Sequence, residues 1–225
     1  MNDPDSSDTI DVIERLPTFP LPTTVLFPGT VLPLHIFEPR YRQMVEDALE
    51  EDGLMAVALV RPGFDLSGAP PIHDVAGCGR IIHSEKLDDG RYNILVQGIE
   101  RVQLVEEVSG DRLYREFRAR VIPRPNDEML RAAEGELAKL QSCVLSLRTL
   151  IGEQDAPLIE VLRSTSDPLE LADILAASLI SDSELQQQVL AARDVSKRLS
   201  TLIDVLAEVM LQVGSSQTTE RSELN

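Results

Sequence analysis

The feature that most constrains this chain is an apolar segment interrupted by proline every few positions. Residues 19–45 read FPLPTTVLFPGTVLPLHIFEPRYRQMV, with proline at 20, 22, 28, 33 and 39. Proline has no N–H to donate to a sheet ladder, so it is unfavourable in central strands. We therefore expect short extended segments bounded by turn residues, RLPTFPL and TVLPLHIF, in place of one long strand.

The next segment changes to helical spacing. In EPRYRQMVEDALEEDG, apolar side chains from Tyr41 to Leu49 fall on one face, Pro39 suits a first helical turn, and Gly53 suits a stop. LMAVALV then has the length and composition of a buried strand. The pattern predicts one helix inserted among strands.

Residues 79–108 predict a hairpin. Two β-rich runs flank Asp89–Gly90, a pair that accepts the positive φ angles of a tight turn, and Gly98 indicates a bulge or sharp bend in the second run. LYREFRARVIP adds a further strand that ends at two prolines. About six strands are predicted, most simply in a small barrel or curled sheet.

The second half is helical. Apolar residues repeat at helical spacing through positions 130, 133, 137, 140, 144 and 147. Asp167–Pro168 matches a cap followed by proline, and Asp182 or Ser183 can cap the next helix. A last long helix is expected to stop at Gly214, and the polar residues after it are expected to be disordered.

Charge and composition exclude several classes of function. The formal net charge is −17, from 21 Lys+Arg against 38 Asp+Glu, so no basic platform for nucleic acid is expected. No apolar run approaches the roughly 20 residues of a membrane span, and the acidic N-terminus lacks the features of a secretory signal. A soluble, cytoplasmic protein without a membrane partner is predicted.

No metal, cofactor or catalytic site is expected. Two cysteines and three histidines lack the paired spacing of a zinc site; His73-x4-Cys78-x4-His83 is the nearest approach. There is no Gly-x-Ser-x-Gly elbow, and Asp88–Asp89 is better read as a turn former than as paired carboxylates. His35, beside Glu38, is interpreted as a surface or partly buried histidine.

Two signatures in order resemble the amino-terminal, substrate-binding domain of Lon proteases. Leu26–Phe27–Pro28–Gly29 and Leu32–Pro33–Leu34 match its opening turn and Pro-Leu strand, and Val96, Gly98 and Arg101 match its Val-x-Gly-x-x-Arg element. LELADILAASL and DVSKRLSTLIDVLAEVM are similar to its later helices. The likeness runs from about residue 15 to residue 213.

The resemblance implies an α+β fold: a bent β-sheet or PUA-like pseudobarrel with one inserted helix, followed by an α-helical bundle, with the prolines at strand corners. The expected boundaries are a disordered tail at 1–14, a β-rich subdomain at 15–125, a helical bundle at 126–213 and a second disordered tail at 214–225. Full Lon proteases add an ATPase and a protease domain. The sequence contains no Gly-x4-Gly-Lys-Ser/Thr phosphate-binding loop, so a freestanding substrate-binding domain is expected. The same module occurs in cereblon, but the zinc-bearing domain of cereblon has no counterpart in this sequence.

The implied function is non-catalytic binding of unfolded or apolar polypeptide, in protein quality control or as an adaptor to a protease. Candidate contact residues are Phe37, Tyr41 and Phe64, although each could equally be core. An exposed strand edge is a second candidate surface. The alternative is a structural protein that forms a homodimer or docks on a full-length protease; an unrecognised hydrolase is a lesser alternative.

Overall fold

The computed structural model describes residues 12–65, 68–151 and 167–223. The chain divides into two units between Arg124 and Pro125, and each is described by itself. In the described residues, the first unit contains six strands and one helix, and the secondary-structure elements of the second unit are all helices. The predicted α+β class is confirmed. No helix in the described ranges is both long and apolar enough to cross a membrane.

The elements of the first unit follow the predicted order. They are β1 (Val12–Leu21), β2 (Val31–Ile36), α1 (Pro39–Glu50), β3 (Leu54–Leu59), β4 (Val75–Lys86), β5 (Tyr92–Glu107) and β6 (Arg115–Ile122). β1 begins at Val12, inside the predicted tail of residues 1–14, because it already pairs there with Arg120 of β6. Residues 1–11 of that tail lie outside the described part of the chain.

The sheet closes into a small barrel through β5, as the strand pattern predicted. The strand order is β2-β5-β4-β3-β1-β6, and β5 also pairs with β6. The first half of β5 pairs with β2 and its second half with β6, while β4 lies along the other edge. β1 is parallel to β3, and the other pairs are antiparallel. Of the described strands, β2 alone pairs with a single neighbour, so one of its edges is free along its whole length.

Pro22, Pro28 and Pro39 stand where the backbone turns or a helix begins. Pro20 and Pro33 lie inside β1 and β2, so the expectation of prolines at strand corners is wrong for these two. The sequence Phe27–Pro28–Gly29–Thr30 forms a turn, with a 3.3 Å hydrogen bond from the Thr30 N–H to the Phe27 carbonyl and a positive φ of 79° at Gly29. Pro39 occupies the first turn of α1, where a missing N–H leaves no hydrogen bond unmade. The apolar segment is thereby divided into short pieces.

That turn lies directly on the strands beneath it. A Cβ added at Gly77 would come within 1.9 Å of the Leu26 carbonyl oxygen, and one at Gly98 within 2.1 Å of the Phe27 carbonyl oxygen. The register between β4 and β5 also shifts beside Gly98, which confirms the predicted irregularity. The two glycines allow the backbone of the turn to contact the backbone of the sheet.

The turn of the hairpin between β4 and β5 differs from the one that the sequence predicts. Leu87 and Arg91 are joined by a 2.8 Å backbone hydrogen bond, so the loop has three residues, and only Gly90 has a positive φ. The tight turn predicted with positive φ at both Asp89 and Gly90 is wrong. A three-residue loop needs the left-handed conformation at one position, which the glycine supplies.

Two apolar clusters fill the first unit, one on each face of β3. Met55 and Val57 pack with the buried face of α1, whereas Ala56 and Ala58 pack with residues of β1, β4, β5 and β6. Alternate residues of a strand point to opposite faces, so burial on both sides explains why LMAVAL is apolar throughout.

The second unit contains α2 (Asp127–Ala132), α3 (Glu134–Ile151), α4 (Pro168–Leu179), α5 (Ser183–Ala191) and α6 (Val195–Glu223). Asp167 and Asp182 cap α4 and α5, as predicted. The helix predicted from residue 126 is interrupted at Ala133. α6 continues to Glu223, so the predicted stop at Gly214 and tail at 214–225 are wrong for these residues. A glycine within a helix costs only about 1 kcal/mol, and no proline follows it.

Candidate functional site

The outer side of the sheet around β2 exposes an alternating row of side chains. Val31, Pro33 and His35 point outward, whereas Ile36 is buried, and Phe37 continues the outward row with 60% of its surface exposed. Ile36 and Phe37 thus face opposite sides, as consecutive residues of an extended chain do. This exposed side, together with the strand residues paired to it, is called the β2 face below.

Strand register extends the β2 face into two rows. Directly opposed residues share a face, so Pro33 continues to Leu95 on β5 and His83 on β4, while His35 continues to Asn93 and Glu85. A groove of about 380 Å³ lies along these rows. It is lined by Pro33, Leu34, His35, His83, Glu85, Asn93, Ile94 and Leu95.

A chain of hydrogen bonds crosses the β2 face. Arg91 Nη1 lies 3.1 Å from His35 Nε2, and His35 Nδ1 lies 2.8 Å from Asn93 Oδ1. A guanidinium only donates, so Nε2 accepts and Nδ1–H donates. The Asn93 amide then donates to Glu85 Oε2 at 3.1 Å. All three bonds run in one direction, which fixes the imidazole and the amide.

Phe37 contacts this chain of hydrogen bonds through His35. Its ring stacks beside the His35 imidazole, with centroids 6.4 Å apart and an angle of 28° between the planes. The imidazole is itself held by Arg91 and Asn93, so it offers Phe37 a fixed support. The β2 face thus presents an aromatic ring to solvent beside an apolar groove.

The free edge of β2 is blunted by Pro33. Gly98 N–H donates to the Thr30 carbonyl at 2.8 Å, and bonded and non-bonded pairs alternate along an antiparallel ladder. Pro33, opposite Leu95, therefore occupies a non-bonded position with its nitrogen toward the free edge. This placement keeps the ladder with β5 intact but removes a donor that an added strand would need. It disfavours the strand addition considered from the sequence.

A second candidate is a cavity of about 540 Å³ beside the start of α1. It is lined by Arg40, Tyr41, Gly68, Ala69, Arg112, Arg115 and residues 107–110, 113, 114 and 116. Its arginines already have partners: Arg115 is bonded to both carboxylate oxygens of Glu107, and Arg112 lies 2.6 Å from Asp47. These pairs compensate the arginines and leave little free charge for a ligand.

Two arginines near this cavity hold the loop that carries Phe64. Arg40 donates to the Gly68 carbonyl at 3.1 Å, and Arg115 donates to the Pro70 carbonyl at 2.7 Å. Phe64 is 57% exposed on that loop. The loop therefore presents an exposed aromatic ring, and none of its described residues lines the groove of the β2 face.

The three predicted contact residues differ in exposure. Phe37 is exposed on the β2 face, and Phe64 is exposed on its loop. Tyr41 is only 5% exposed: its ring meets Phe19 edge to face at 4.5 Å, and Arg40 lies over it. Burial in the core rules out Tyr41 as a freely accessible contact residue.

Sequence reasoning missed part of the β2 face. The sequence does not indicate Asn93 or Glu85 as site residues, and it predicts His35 only as an ordinary surface or partly buried histidine. The period-two alternation of Val31, Pro33 and His35 was a signal for one exposed face. The register that places Asn93 and Glu85 beside His35 is not written in either strand alone.

Comparison with known proteins identifies the family to which the chain belongs. The model for the ATP-dependent protease La (LON) substrate-binding domain matches residues 15–208. The chain belongs to this family. It is 27% identical over 197 residues to Lon protease 2 of Myxococcus xanthus and 28% identical over 200 residues to the Lon protease of Anaeromyxobacter dehalogenans. Each match covers 87% of this chain but only 24% and 23% of the relatives, so the chain spans about a quarter of their length.

Solved structures show the same fold. The N-terminal domain of the Mycobacterium avium complex Lon protease aligns with a TM-score of 0.65 at 22% identity, covering 86% of this chain and 98% of that one. A Lon N-terminal domain protein from Xanthomonas campestris aligns with a TM-score of 0.61 at 23% identity, covering 85% and 98%. The resemblance noted in the sequence is confirmed by these matches.

Proposed function

We propose that this LON substrate-binding domain protein binds exposed apolar segments of polypeptide through its β2 face. The observation that carries the proposal is Phe37, which is 60% exposed on a sheet face and supported by His35. Membership of a substrate-binding family supports the same function. The role is recognition, in protein quality control or as an adaptor to a protease.

The chemistry of the β2 face suits a weak and sequence-tolerant contact. Fully burying a phenylalanine side chain contributes about 1.5–3 kcal/mol, so covering the exposed part of Phe37 contributes roughly 1–2 kcal/mol. Val31 and the groove beside Leu95 add further apolar area. A partner would be held by its side chains, because Pro33 disfavours strand addition at the edge of β2.

Fluorescence anisotropy with a labelled, unstructured peptide tests the proposal. The peptide has a Leu-Phe-Leu centre and uncharged Gln flanks. Phe37→Ala is expected to weaken binding by about fivefold or more, as for a contact worth over 1 kcal/mol. Phe64→Ala is the matched control, because Phe64 is a phenylalanine of nearly equal exposure on another part of the surface.

The outcomes separate the possibilities. Loss of binding in Phe64→Ala with full binding in Phe37→Ala would move the site to the loop between β3 and β4. If the unmodified protein shows no saturable binding to this peptide or to longer unfolded chains, the proposal of peptide recognition is wrong.

A docking or oligomerisation role is the second candidate, and exposed leucines of the helical unit favour it. Leu145 on α3 and Leu211 on α6 are both largely exposed, the latter by 73%. Light scattering coupled to size exclusion should then give a dimer mass that falls to a monomer mass in the Leu145→Gln, Leu211→Gln double variant. A monomer at all concentrations would exclude the homodimer. Pull-down with a full-length Lon-type protease would then test docking on a protease.

A further inference from the structure

One carboxylate lies in the wall of the groove on the β2 face. Glu85 accepts a hydrogen bond from the Asn93 amide through Oε2 at 3.1 Å. No lysine, arginine or histidine forms an ion pair with it within the described residues 12–65, 68–151 and 167–223. A carboxylate has about four acceptor positions, so most of its hydrogen-bonding capacity remains available.

The cations beside Glu85 in sequence or space are already paired. Lys86 lies 2.8 Å from Glu46, and Arg91 lies 2.7 Å from Asp89. Each of these pairs contributes no net charge to the groove. A peptide lying along the groove would therefore meet the uncompensated negative charge of Glu85.

Arg80 lies at the far end of the same face and is too distant to neutralise Glu85. Arg80 is opposite Gln97 and Glu85 is opposite Asn93, so four positions of β5 separate them. At about 3.3 Å per residue this is roughly 13 Å, beyond the screening length of about 8 Å in physiological salt. The groove therefore has a negative end at Glu85.

The hydrogen-bond chain holds the negative end in place. Because His35 donates to Asn93 Oδ1, the amide nitrogen of Asn93 is turned toward Glu85. Asn93 therefore orients the carboxylate without cancelling its charge. An ammonium or guanidinium donates strongly to such an oriented carboxylate.

We propose that the β2 face selects apolar segments in which a Lys or Arg adjoins the apolar side chains, with Glu85 pairing to that basic residue. The inference rests on the proposed binding of apolar polypeptide and specifies its substrate class. The apolar side chains cover Phe37 and the groove, and the basic residue lies at the Glu85 end.

Three labelled peptides with the same Leu-Phe-Leu centre test the selection. Their flanks are Lys, Gln or Glu, and all three are measured at the same pH and ionic strength. The expected order of affinity is Lys above Gln above Glu. Glu85→Gln should weaken the Lys-flanked peptide about two- to fivefold, the range of one exposed ion pair, and should change binding of the Gln-flanked peptide by a smaller factor.

Glu50→Gln is the control for the acidic character of the whole chain. It removes the same charge from an exposed position at the end of α1. Equal weakening by Glu50→Gln and Glu85→Gln, or a Lys preference that persists in Glu85→Gln, would overturn the selection by Glu85. Failure of the Gln-flanked peptide to bind the unmodified protein is a separate result, and it would overturn the proposed function.

Discussion

Tyr114, which immediately precedes β6, donates a 2.9 Å hydrogen bond to Asp47 of α1. The neighbouring carboxylate on the helix, Glu46, accepts a 2.7 Å hydrogen bond from Tyr92 at the start of β5. Consecutive helical residues point about 100° apart, so the two phenols hold α1 from different sides. The helix that follows the β2 face is thereby fixed to two strands of the sheet.

Removing the Tyr114 hydroxyl tests this attachment. Tyr114→Phe should lower the free energy of unfolding by about 1–2 kcal/mol, because a largely buried hydrogen bond to a carboxylate is lost. Urea denaturation followed by circular dichroism measures it. Tyr92→Phe is the matched variant and should cost less, because the Glu46 side chain is 47% exposed whereas that of Asp47 is 18% exposed. A larger loss in Tyr92→Phe would contradict this account.

Alkaline pH should destabilise the protein through the same tyrosine. Burial, followed by the hydrogen bond to Asp47, raises the pKa of Tyr114 above its ordinary 10.0, and burial raises the pKa of Tyr41. Folded-state pKa values above the unfolded value mean that this stability is complete below pH 10.0 and is lost as pH rises through the folded values.

Tyrosinate absorbance measures this effect, because the chain has three tyrosines and no tryptophan. The late part of the titration should coincide with loss of circular dichroism, and Tyr114→Phe should remove some of its amplitude. Ionisation of Tyr41 and Tyr114 near pH 10.0, with the fold intact, would show that burial does not raise their pKa values.

The strands and helices of this fold could be predicted because local signals agree with one another. Pro39 begins α1, Asp167 and Asp182 cap helices, and the apolar runs of β3 and β5 have the lengths of strands. Of the residues on the β2 face, the sequence indicates only Phe37 as a candidate contact, because the alternation of Phe37 with Ile36 is local. Glu85 and Asn93 meet His35 through strand register, which depends on packing between distant segments.

Stability should distinguish Phe37 from Tyr41. Phe37→Ala should change the free energy of unfolding by less than about 0.5 kcal/mol, as for an ordinary surface substitution. Tyr41→Ala should cost roughly 3–5 kcal/mol, since it leaves a cavity beside Phe19 and Met44. Thermal melting of both variants gives the comparison, and a large loss in Phe37→Ala would assign that residue to the core.

Glycine at position 98 should be irreplaceable. Gly98→Ala would put a Cβ within 2.1 Å of the Phe27 carbonyl oxygen, so the turn must move off the sheet at a cost of at least about 3 kcal/mol. Gly135→Ala in α3 is the control. Its added Cβ meets nothing within 4 Å, and alanine should stabilise the helix by about 0.5–1 kcal/mol. Equal melting temperatures for the two variants would contradict the close approach.

The two thiols should differ in reactivity. Burial raises the pKa of Cys78 to about 12, whereas Cys143 is partly exposed. Because the thiolate is the reactive form, Cys143 should react first with Ellman's reagent and Cys78 only after addition of guanidinium chloride. Cys143→Ser should then show no rapid reaction in the native protein. Rapid labelling of Cys78 in that variant would indicate frequent opening of the barrel.

The pairing of β1 with β6 places the start of the first strand beside the end of the last strand of the first unit. Val12 is opposite Arg120, and β6 ends at Ile122. A short linker could therefore join these two positions, and the chain could be cut in the loop of Asp88, Asp89 and Gly90 to create new termini. A circular permutant of this kind preserves every strand pairing, so the barrel can be carried within another polypeptide as an inserted cassette without being rebuilt.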